Sequence, residues 1–153
     1  MIGTAKKPFD EILAALQGFQ KIGVVGCDGC AKVCLTGGSD EVAALAKELQ
    51  TQGKDIVFEA SPERTCNMAK AKPVLDPLKE KIQASDALLV LGCGGAVQIT
   101  RYVTETLGLT LPVKTGLNSV GHMDTTVPGA VAVEHADHGE RHGHGEQGEP
   151  AAA

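Results

Sequence analysis

Four short apolar runs recur along the chain. They are KIGVVG (21–26), DIVFEA (55–60), ALLVLG (87–92) and LPVKTG (111–116). Each run is rich in aliphatic residues and nearly continuous, without the apolar–polar alternation of a strand that has one face in water. Runs of this kind are typical of strands that are buried on both faces in a parallel sheet. The pattern therefore predicts four buried strands.

The segments between these runs show the spacing of amphipathic helices. Residues 40–52 place apolar side chains at i, i+3, i+4 and i+7 beginning at Val42, and Ser39 and Gly53 are the expected N-cap and C-terminal stop. Residues 94–107 carry a similar apolar face. Both segments are long enough to cross from one parallel strand to the next.

Two further helices complete the pattern. One is predicted over residues 9–19, and another is predicted to begin at Asp76, with Pro77 at its first position, and to run to about Ala84. The order α-β-α-β-α-β-α-β implies right-handed crossovers. The predicted fold class is α/β: a doubly wound, mostly parallel four-stranded sheet flanked by helices.

The apolar pattern fades after Pro128. We therefore expect one cysteine-rich α/β domain over residues 1–130 and a disordered tail, rich in His, Gly and Glu, over residues 131–153. Of the net charge of −5, residues 134–149 carry five acids and one Arg, so the body is close to neutral. A near-neutral body argues against a nucleic-acid partner. We expect any metal binding by the tail histidines to be incidental (His135, His138, His142 and His144).

The chain shows no signal for a membrane or for export. No apolar run approaches the roughly 20 residues that span a bilayer, and acids interrupt the apolar positions of the first 20 residues. We therefore expect a cytoplasmic protein that makes no contact with a membrane. Its five cysteines are an odd number, which argues against a disulfide framework. Clustered thiols in a reducing compartment more often bind metal or carry out redox chemistry.

All five cysteines follow predicted strands. Cys27, Cys30 and Cys34 form a C-x2-C-x3-C motif after the first strand, Cys66 comes six residues after the second, and Cys93 follows the third. Because parallel strands end at the same edge of a sheet, and ligands bind beyond that edge, we expect these cysteines to gather there.

The spacing favours an iron–sulfur cluster over a single metal ion. A structural zinc site usually has a second close cysteine pair, whereas the two distant cysteines here are single. A [4Fe–4S] cluster needs four ligands, and the sequence predicts Cys27, Cys66, Cys93 and either Cys30 or Cys34. Nearby glycines let the backbone approach and offer N–H groups to sulfide (Gly26, Gly29, Gly92, Gly94 and Gly95).

Other kinds of site remain open or are argued against. A zinc-binding module that docks a partner enzyme is the main alternative, since zinc also accepts thiolates. In a thiol-redox protein, Cys27 and Cys30 would cycle between thiol and disulfide, but that motif should open a helix directly. A dinucleotide site is disfavoured because Val97 stands where the third glycine of its fingerprint belongs.

Three segments together resemble the methylenetetrahydrofolate reductase C-terminal domain family. They are CDGCAKVCLTGGSDEVAALAKEL, ERTCN and DALLVLGCGGAVQ, and the resemblance covers roughly residues 5–128. By that resemblance all five cysteines match the cysteine positions of the family. The turn formed by Thr36, Gly37 and Gly38, together with Gln98, matches its other recurrent residues.

The resemblance implies a function in electron transfer. In acetogenic-type systems the module is a small iron–sulfur subunit, and its cluster relays electrons to or from the flavin of a methylenetetrahydrofolate reductase catalytic subunit, in some cases within a larger electron-transfer complex. The chain itself shows no folate or flavin pocket, so we expect a non-catalytic subunit. Longer members of the family continue into a second cysteine-rich segment that this chain lacks, which argues against a second cluster.

Overall fold

The structure, a computed structural model, describes residues 1–122. Its elements, in chain order, are β1 (Ile2–Lys6), α1 (Phe9–Ala15), β2 (Lys21–Val25), α2 (Cys30–Val33), α3 (Ser39–Thr51), β3 (Asp55–Ala60), α4 (Met68–Leu75), α5 (Lys79–Gln83), β4 (Ala87–Val90), α6 (Gly94–Thr106), β5 (Val113–Thr115) and β6 (Leu117–His122). The predicted tail and its histidines lie outside the described residues. None of the helices in residues 1–122 is long and apolar enough to cross a membrane.

The central sheet has four parallel strands in the order β3-β2-β4-β5. The four predicted apolar runs form these strands. The central strands β2 and β4 are buried almost throughout, whereas the edge strands β3 and β5 are partly exposed, so full burial was wrongly expected of those two. The side chains of the sheet alternate between two cores: in β4, Leu89 belongs to the core beneath α1 and α3, and Leu88 and Val90 belong to the core beneath α4, α5 and α6. The predicted α/β class, with a four-stranded parallel sheet flanked by helices, is confirmed.

Helix α3 lies close to its predicted position but is capped differently. Ser39 is its first helical residue, and the expected N-cap position belongs to Gly38. The N–H of Ser39 donates to Asp28 Oδ1 at 2.8 Å, so a side chain from the preceding loop satisfies one of the open N–H groups of the helix. Gly53 follows the helix with φ +84°, the left-handed conformation expected of a terminating glycine.

The helix predicted from Asp76 to about Ala84 is present as a 3-10 turn (Asp76–Leu78), with Pro77 in its first positions, followed by α5. Asp76 itself has helical angles and is not the predicted N-cap. A separate helix, α4, precedes this turn, and Asn67 Oδ1 caps it by accepting the N–H of Ala69 at 2.9 Å. Pro73 lies inside α4.

The sequence did not predict the two-stranded sheet formed by β1 and β6. These strands pair antiparallel, from Ile2 opposite His122 to Lys6 opposite Leu117. The opening helix is also shorter than its predicted range of 9–19, and Gly18, with φ +86°, lies in the turn that follows it. The β1–β6 pair lies beside the main sheet, because Leu117 belongs to the same core as α1 and α3.

The connection into β2 is fixed by a carboxylate. Asp86 Oδ2 accepts the backbone N–H groups of Lys21, at 2.8 Å, and of Gln20, at 3.0 Å. These two hydrogen bonds, chiefly the one from Lys21, lower the pKa of Asp86 below the ordinary value for an aspartate. Asp86 immediately precedes β4, so the bonds tie the starts of the two central strands together.

Candidate metal centre

Two loops diverge at the centre of the sheet. Strands β2 and β4 are neighbours, but the chain leaves β2 towards β3 on one side and leaves β4 towards β5 on the other. In open α/β sheets such a reversal creates a crevice at the carboxyl ends of the strands, where ligands bind. Cys27 lies two residues beyond β2, and Cys93 lies three residues beyond β4.

The loop after β2 carries three cysteines and is folded back on itself. Cys27 is only 5% exposed, and its N–H donates to the carbonyl oxygen of Gly37 at 2.8 Å. Cys30 begins the single-turn helix α2, and Cys34 ends it, with the N–H of Cys34 donating to the carbonyl oxygen of Cys30 at 3.0 Å. Hence Cys27 is anchored in the core, while Cys30 and Cys34 lie half-buried on α2.

The loop after β3 brings Cys66 to the same place. Thr65, directly before Cys66, donates its hydroxyl to the carbonyl oxygen of Gly26 at 2.6 Å. The N–H of Asp28 donates to the carbonyl oxygen of Pro62 at 2.9 Å. These bonds run between the Cys66 loop and the Cys27 loop, so the two loops are held side by side.

Two glycines border the space between the cysteines. A methyl group added at Gly95 would lie 3.2 Å from Cys66 Cβ and 3.7 Å from Cys93 Sγ. One added at Gly29 would lie 3.5 Å from Cys27 Sγ. A single methyl group at Gly95 would therefore contact both Cys66 and Cys93. Residues larger than glycine at Gly29 or Gly95 would enter the space beside the sulfurs.

The electrostatics of Cys66 identify its neighbours. Although Cys66 is exposed as a whole residue, partial burial of its thiol is the main cause that raises its pKa above the ordinary cysteine value. The thiols of Cys93, Cys27 and Cys30, in that order, raise this pKa further, because a second thiolate nearby disfavours the first. These three thiols, on the loops after β2 and β4, are therefore close enough to Cys66 to interact with it electrostatically.

Cys30 and Cys34 lie at opposite ends of α2. Cys30 is one of the three thiols that raise the pKa of Cys66. The sequence left the fourth ligand open between Cys30 and Cys34. We expect Cys30 to be that ligand, because it interacts electrostatically with Cys66.

The chemistry of the cysteines can be compared with the needs of a single metal ion and of a cluster. Within residues 1–122, no three His, Cys, Asp or Glu side chains are arranged so that they could hold one metal ion. A tetrahedral zinc site needs all of its sulfurs about 2.3 Å from one point. A cubane cluster takes one thiolate at each of four irons, so its sulfurs stand further apart. Four cysteine thiolates match the number and kind of ligands that such a cluster takes.

The other residues predicted for cofactor binding have different surroundings. Gly37 packs against the backbone of Leu91, and Gly38 packs against the stem of Lys32. Gly94 and Gly95 open α6 beside Cys93, and Gln98 lies exposed about one turn further along that helix. Of these residues, Gly95 borders the cysteines directly, as Gly29 does, whereas Gly37 allows two loops to cross.

Sequence reasoning missed Thr65, and it named Thr36 without predicting the hydrogen bonds of its buried hydroxyl. Thr65 joins the Cys27 and Cys66 loops, as described above. Thr36 Oγ1 lies 2.6 Å from Thr4 Oγ1 and 3.2 Å from the carbonyl oxygen of Ala31, so it joins β1 to the cysteine-bearing loop. The one available signal was the position of each threonine, within two residues of a cysteine.

Comparison with known proteins adds no assignment. No protein-family model, no curated protein and no solved structure matches the chain.

Proposed function

We propose that this protein is an iron–sulfur electron-transfer subunit that relays electrons to or from the flavin of a methylenetetrahydrofolate reductase catalytic subunit. The observation that carries the proposal is the approach of cysteine-bearing loops at the crevice where the sheet reverses its winding: Gly95 adjoins both Cys66 and Cys93, and Thr65, beside Cys66, binds the residue before Cys27. Hydrolytic and nucleotide-binding sites do not need such a group of cysteines. An iron–sulfur cluster needs it, because cysteine thiolates are its ligands.

Each proposed ligand has a distinct setting. Cys27 is buried and anchored through its backbone, Cys30 and Cys93 are half-buried, and Cys66 is exposed. When bound, a [4Fe–4S] cluster supplies one-electron redox chemistry. The chain would supply four thiolates, backbone N–H groups from the first turn of α6, and the space kept open by Gly29 and Gly95.

The exposure of Cys66 supports a role in electron transfer over a purely structural one. A cluster held partly by an exposed ligand lies close to the surface, where a docked redox partner can approach it. The identity of that partner, a flavin-containing catalytic subunit, rests on the sequence resemblance. We also propose that the protein is cytoplasmic, because its cysteines do not suit a disulfide framework and its proposed cofactor requires free thiolates.

The test is metal analysis of protein purified without oxygen. We expect a brown protein with about four irons and an equal amount of sulfide per chain, and a paramagnetic signal after reduction. Mixing the reduced protein with the flavin-containing reductase should then reduce the flavin. A colourless protein that contains zinc and no sulfide would reject the proposal in favour of a structural zinc module, which should unfold on chelation.

A thiol-redox function predicts a different result. In that case metal-free protein would cycle between a dithiol and a disulfide formed by Cys27 and Cys30, with a measurable potential. Metal-free protein that transfers electrons at the rate of metal-loaded protein would therefore contradict the cluster proposal.

A further inference from the structure

Three hydrogen bonds join the loop after β2 to β3 and the loop that follows it. The N–H of Gly26 donates to the carbonyl oxygen of Ala60 at 2.7 Å, and the N–H of Asp28 donates to that of Pro62 at 2.9 Å. The third bond is the one from Thr65 Oγ1 to the carbonyl oxygen of Gly26 at 2.6 Å. The first two use backbone groups, which almost any sequence would offer. The third depends on one side chain.

The position of Thr65 gives this bond its significance. Thr65 directly precedes Cys66, and Gly26 directly precedes Cys27. The hydroxyl is fully buried, at 0% exposure for the residue, so no water replaces the bond when it is lost. The bond therefore joins the two residues that are covalently adjacent to two proposed ligands, Cys66 and Cys27, on separate loops.

Cys66 needs such a support more than the other ligands do. Cys27 is held within the core, and Cys93 directly precedes the 13-residue helix α6. Cys66 is exposed and lies in a loop seven residues long between β3 and α4. Without the Thr65 hydroxyl, the part of this loop nearest to Cys66 would lose its side-chain link to the core.

We infer that Thr65 is a positioning residue, which fixes the separation of the Cys27 and Cys66 sulfurs in the proposed cluster site. The inference rests on the proposed function and deepens it. The hydroxyl of Thr65 donates to the carbonyl oxygen of Gly26, the residue before Cys27. It acts through the backbone of the residues that precede the two cysteines.

Two substitutions of Thr65 distinguish the effect of its hydroxyl from the effect of its side-chain shape. Thr65→Val keeps the branched shape and removes the hydrogen bond, whereas Thr65→Ser keeps the bond. Thr104→Val is the matched control, because Thr104 is also buried and donates its hydroxyl to a backbone carbonyl, that of Arg101 at 2.7 Å, within α6. Thr104→Val should lower stability without altering the cluster.

The first readout uses cluster-loaded protein. We expect Thr65→Val to release iron to a chelator about 5- to 150-fold faster than wild type, the factor that corresponds to one unmade buried hydrogen bond. Its reduction potential and paramagnetic spectrum should also shift, while Thr65→Ser and Thr104→Val match wild type. Wild-type release, potential and spectrum in Thr65→Val would overturn the inference.

The second readout does not need the cluster. In metal-free protein, amide hydrogen exchange at Asp28 reports opening of the two loops, and exchange at Leu91, whose N–H donates to the carbonyl oxygen of Val25 at 2.7 Å, reports opening of the central sheet. Thr65→Val should accelerate exchange at Asp28 by the same factor, and by more than at Leu91. Equal acceleration at both amides would overturn the inference, because Thr65 would then support the fold alone.

The two readouts keep the two proposals distinguishable. Wild-type protein that binds no iron overturns the proposed function, and the exchange measurement then decides whether Thr65 holds the two cysteine loops together. Wild-type protein that binds the cluster, with Thr65→Val unchanged in every readout, leaves the function intact and removes Thr65 from it.

Discussion

Substitution of Gly37 by alanine tests how closely the two central loops cross. A methyl group at this position would overlap the carbonyl oxygen of Leu91 and would lie 2.8 Å from its carbonyl carbon, where an ordinary contact begins at 3.4 Å. Because the obstacle is backbone, no side-chain rotation relieves the overlap. The Cys27 loop and the Cys93 loop must therefore move apart.

The expected cost follows from two contributions. Overpacking of a tightly packed interior costs about 1–3 kcal/mol. Weakening of the bond from the N–H of Cys27 to the carbonyl oxygen of Gly37 adds about 1 kcal/mol. A loss of about 2–4 kcal/mol corresponds to a fall in Tm of about 4–16 °C for a chain of this size.

Thermal and urea unfolding of metal-free, reduced protein would measure this loss. The matched control is Gly94→Ala, because Gly94 has no atom within 4 Å of an added methyl group and begins α6 directly after Cys93. Alanine there should leave Tm unchanged or raise it slightly, since it reduces the freedom of the unfolded chain. Iron content after anaerobic loading should fall for Gly37→Ala and stay at the wild-type level for Gly94→Ala.

Similar unfolding curves for Gly37→Ala and Gly94→Ala would refute the close crossing of the two loops. Gly37 would then have room for a methyl group, and the loops would not cross as closely as described. A normal Tm combined with a loss of iron would also contradict it, because the predicted effect on the cysteines acts through the separation of the loops.

Three further predictions follow from single side chains. Cys66→Ser should abolish most iron binding and Cys34→Ser should retain the wild-type amount, so equal losses in the two variants would argue against the proposed ligand set. Thr4→Val should lower the free energy of unfolding by about 1 kcal/mol, through loss of the buried bond to Thr36, and Thr4→Ser should restore it; no difference in urea unfolding between Thr4→Val and wild type would count against that bond. Asp86, whose pKa is lowered in the folded protein, stabilises the fold above about pH 4, the ordinary value, and loses that contribution as the pH falls through its lower folded value. Asp86→Ala should therefore unfold more easily than wild type at pH 7, with the two Tm curves converging towards pH 3, and parallel curves would refute the linkage.

The sequence predicted the parallel sheet because burial on both faces leaves a local signature. Strands β2 and β4, buried almost throughout, each coincide with one apolar run, and the edge strand β3 contains a shorter one. Strands β1 and β6 leave no such signature, since Ile2–Lys6 and Leu117–His122 contain no two adjacent large aliphatic residues. Their pairing joins opposite ends of the described chain, and no local pattern encodes it.

The candidate site was partly predictable for a topological reason. Residues that follow parallel strands are brought to one edge, so the approach of Cys27, Cys66 and Cys93 could be expected before the structure was known. The choice between Cys30 and Cys34 depends on the orientation of the single-turn helix α2, which spacing alone does not define. The role of Thr65 depends on a bond between residues 39 positions apart, which a pattern of neighbouring residues cannot reveal.

The pairing of β1 with β6 has a consequence for biosynthesis. Translation delivers the N-terminal strand first, but its partner ends at His122. Until residues 117–122 have been synthesised, the ribosome-bound chain can assemble its parallel strands, but β1 has no strand with which to pair. Thr4 on this strand contacts Thr36, so the strand that supports the cysteine-bearing loop gains its β6 partner only after every proposed ligand has been synthesised.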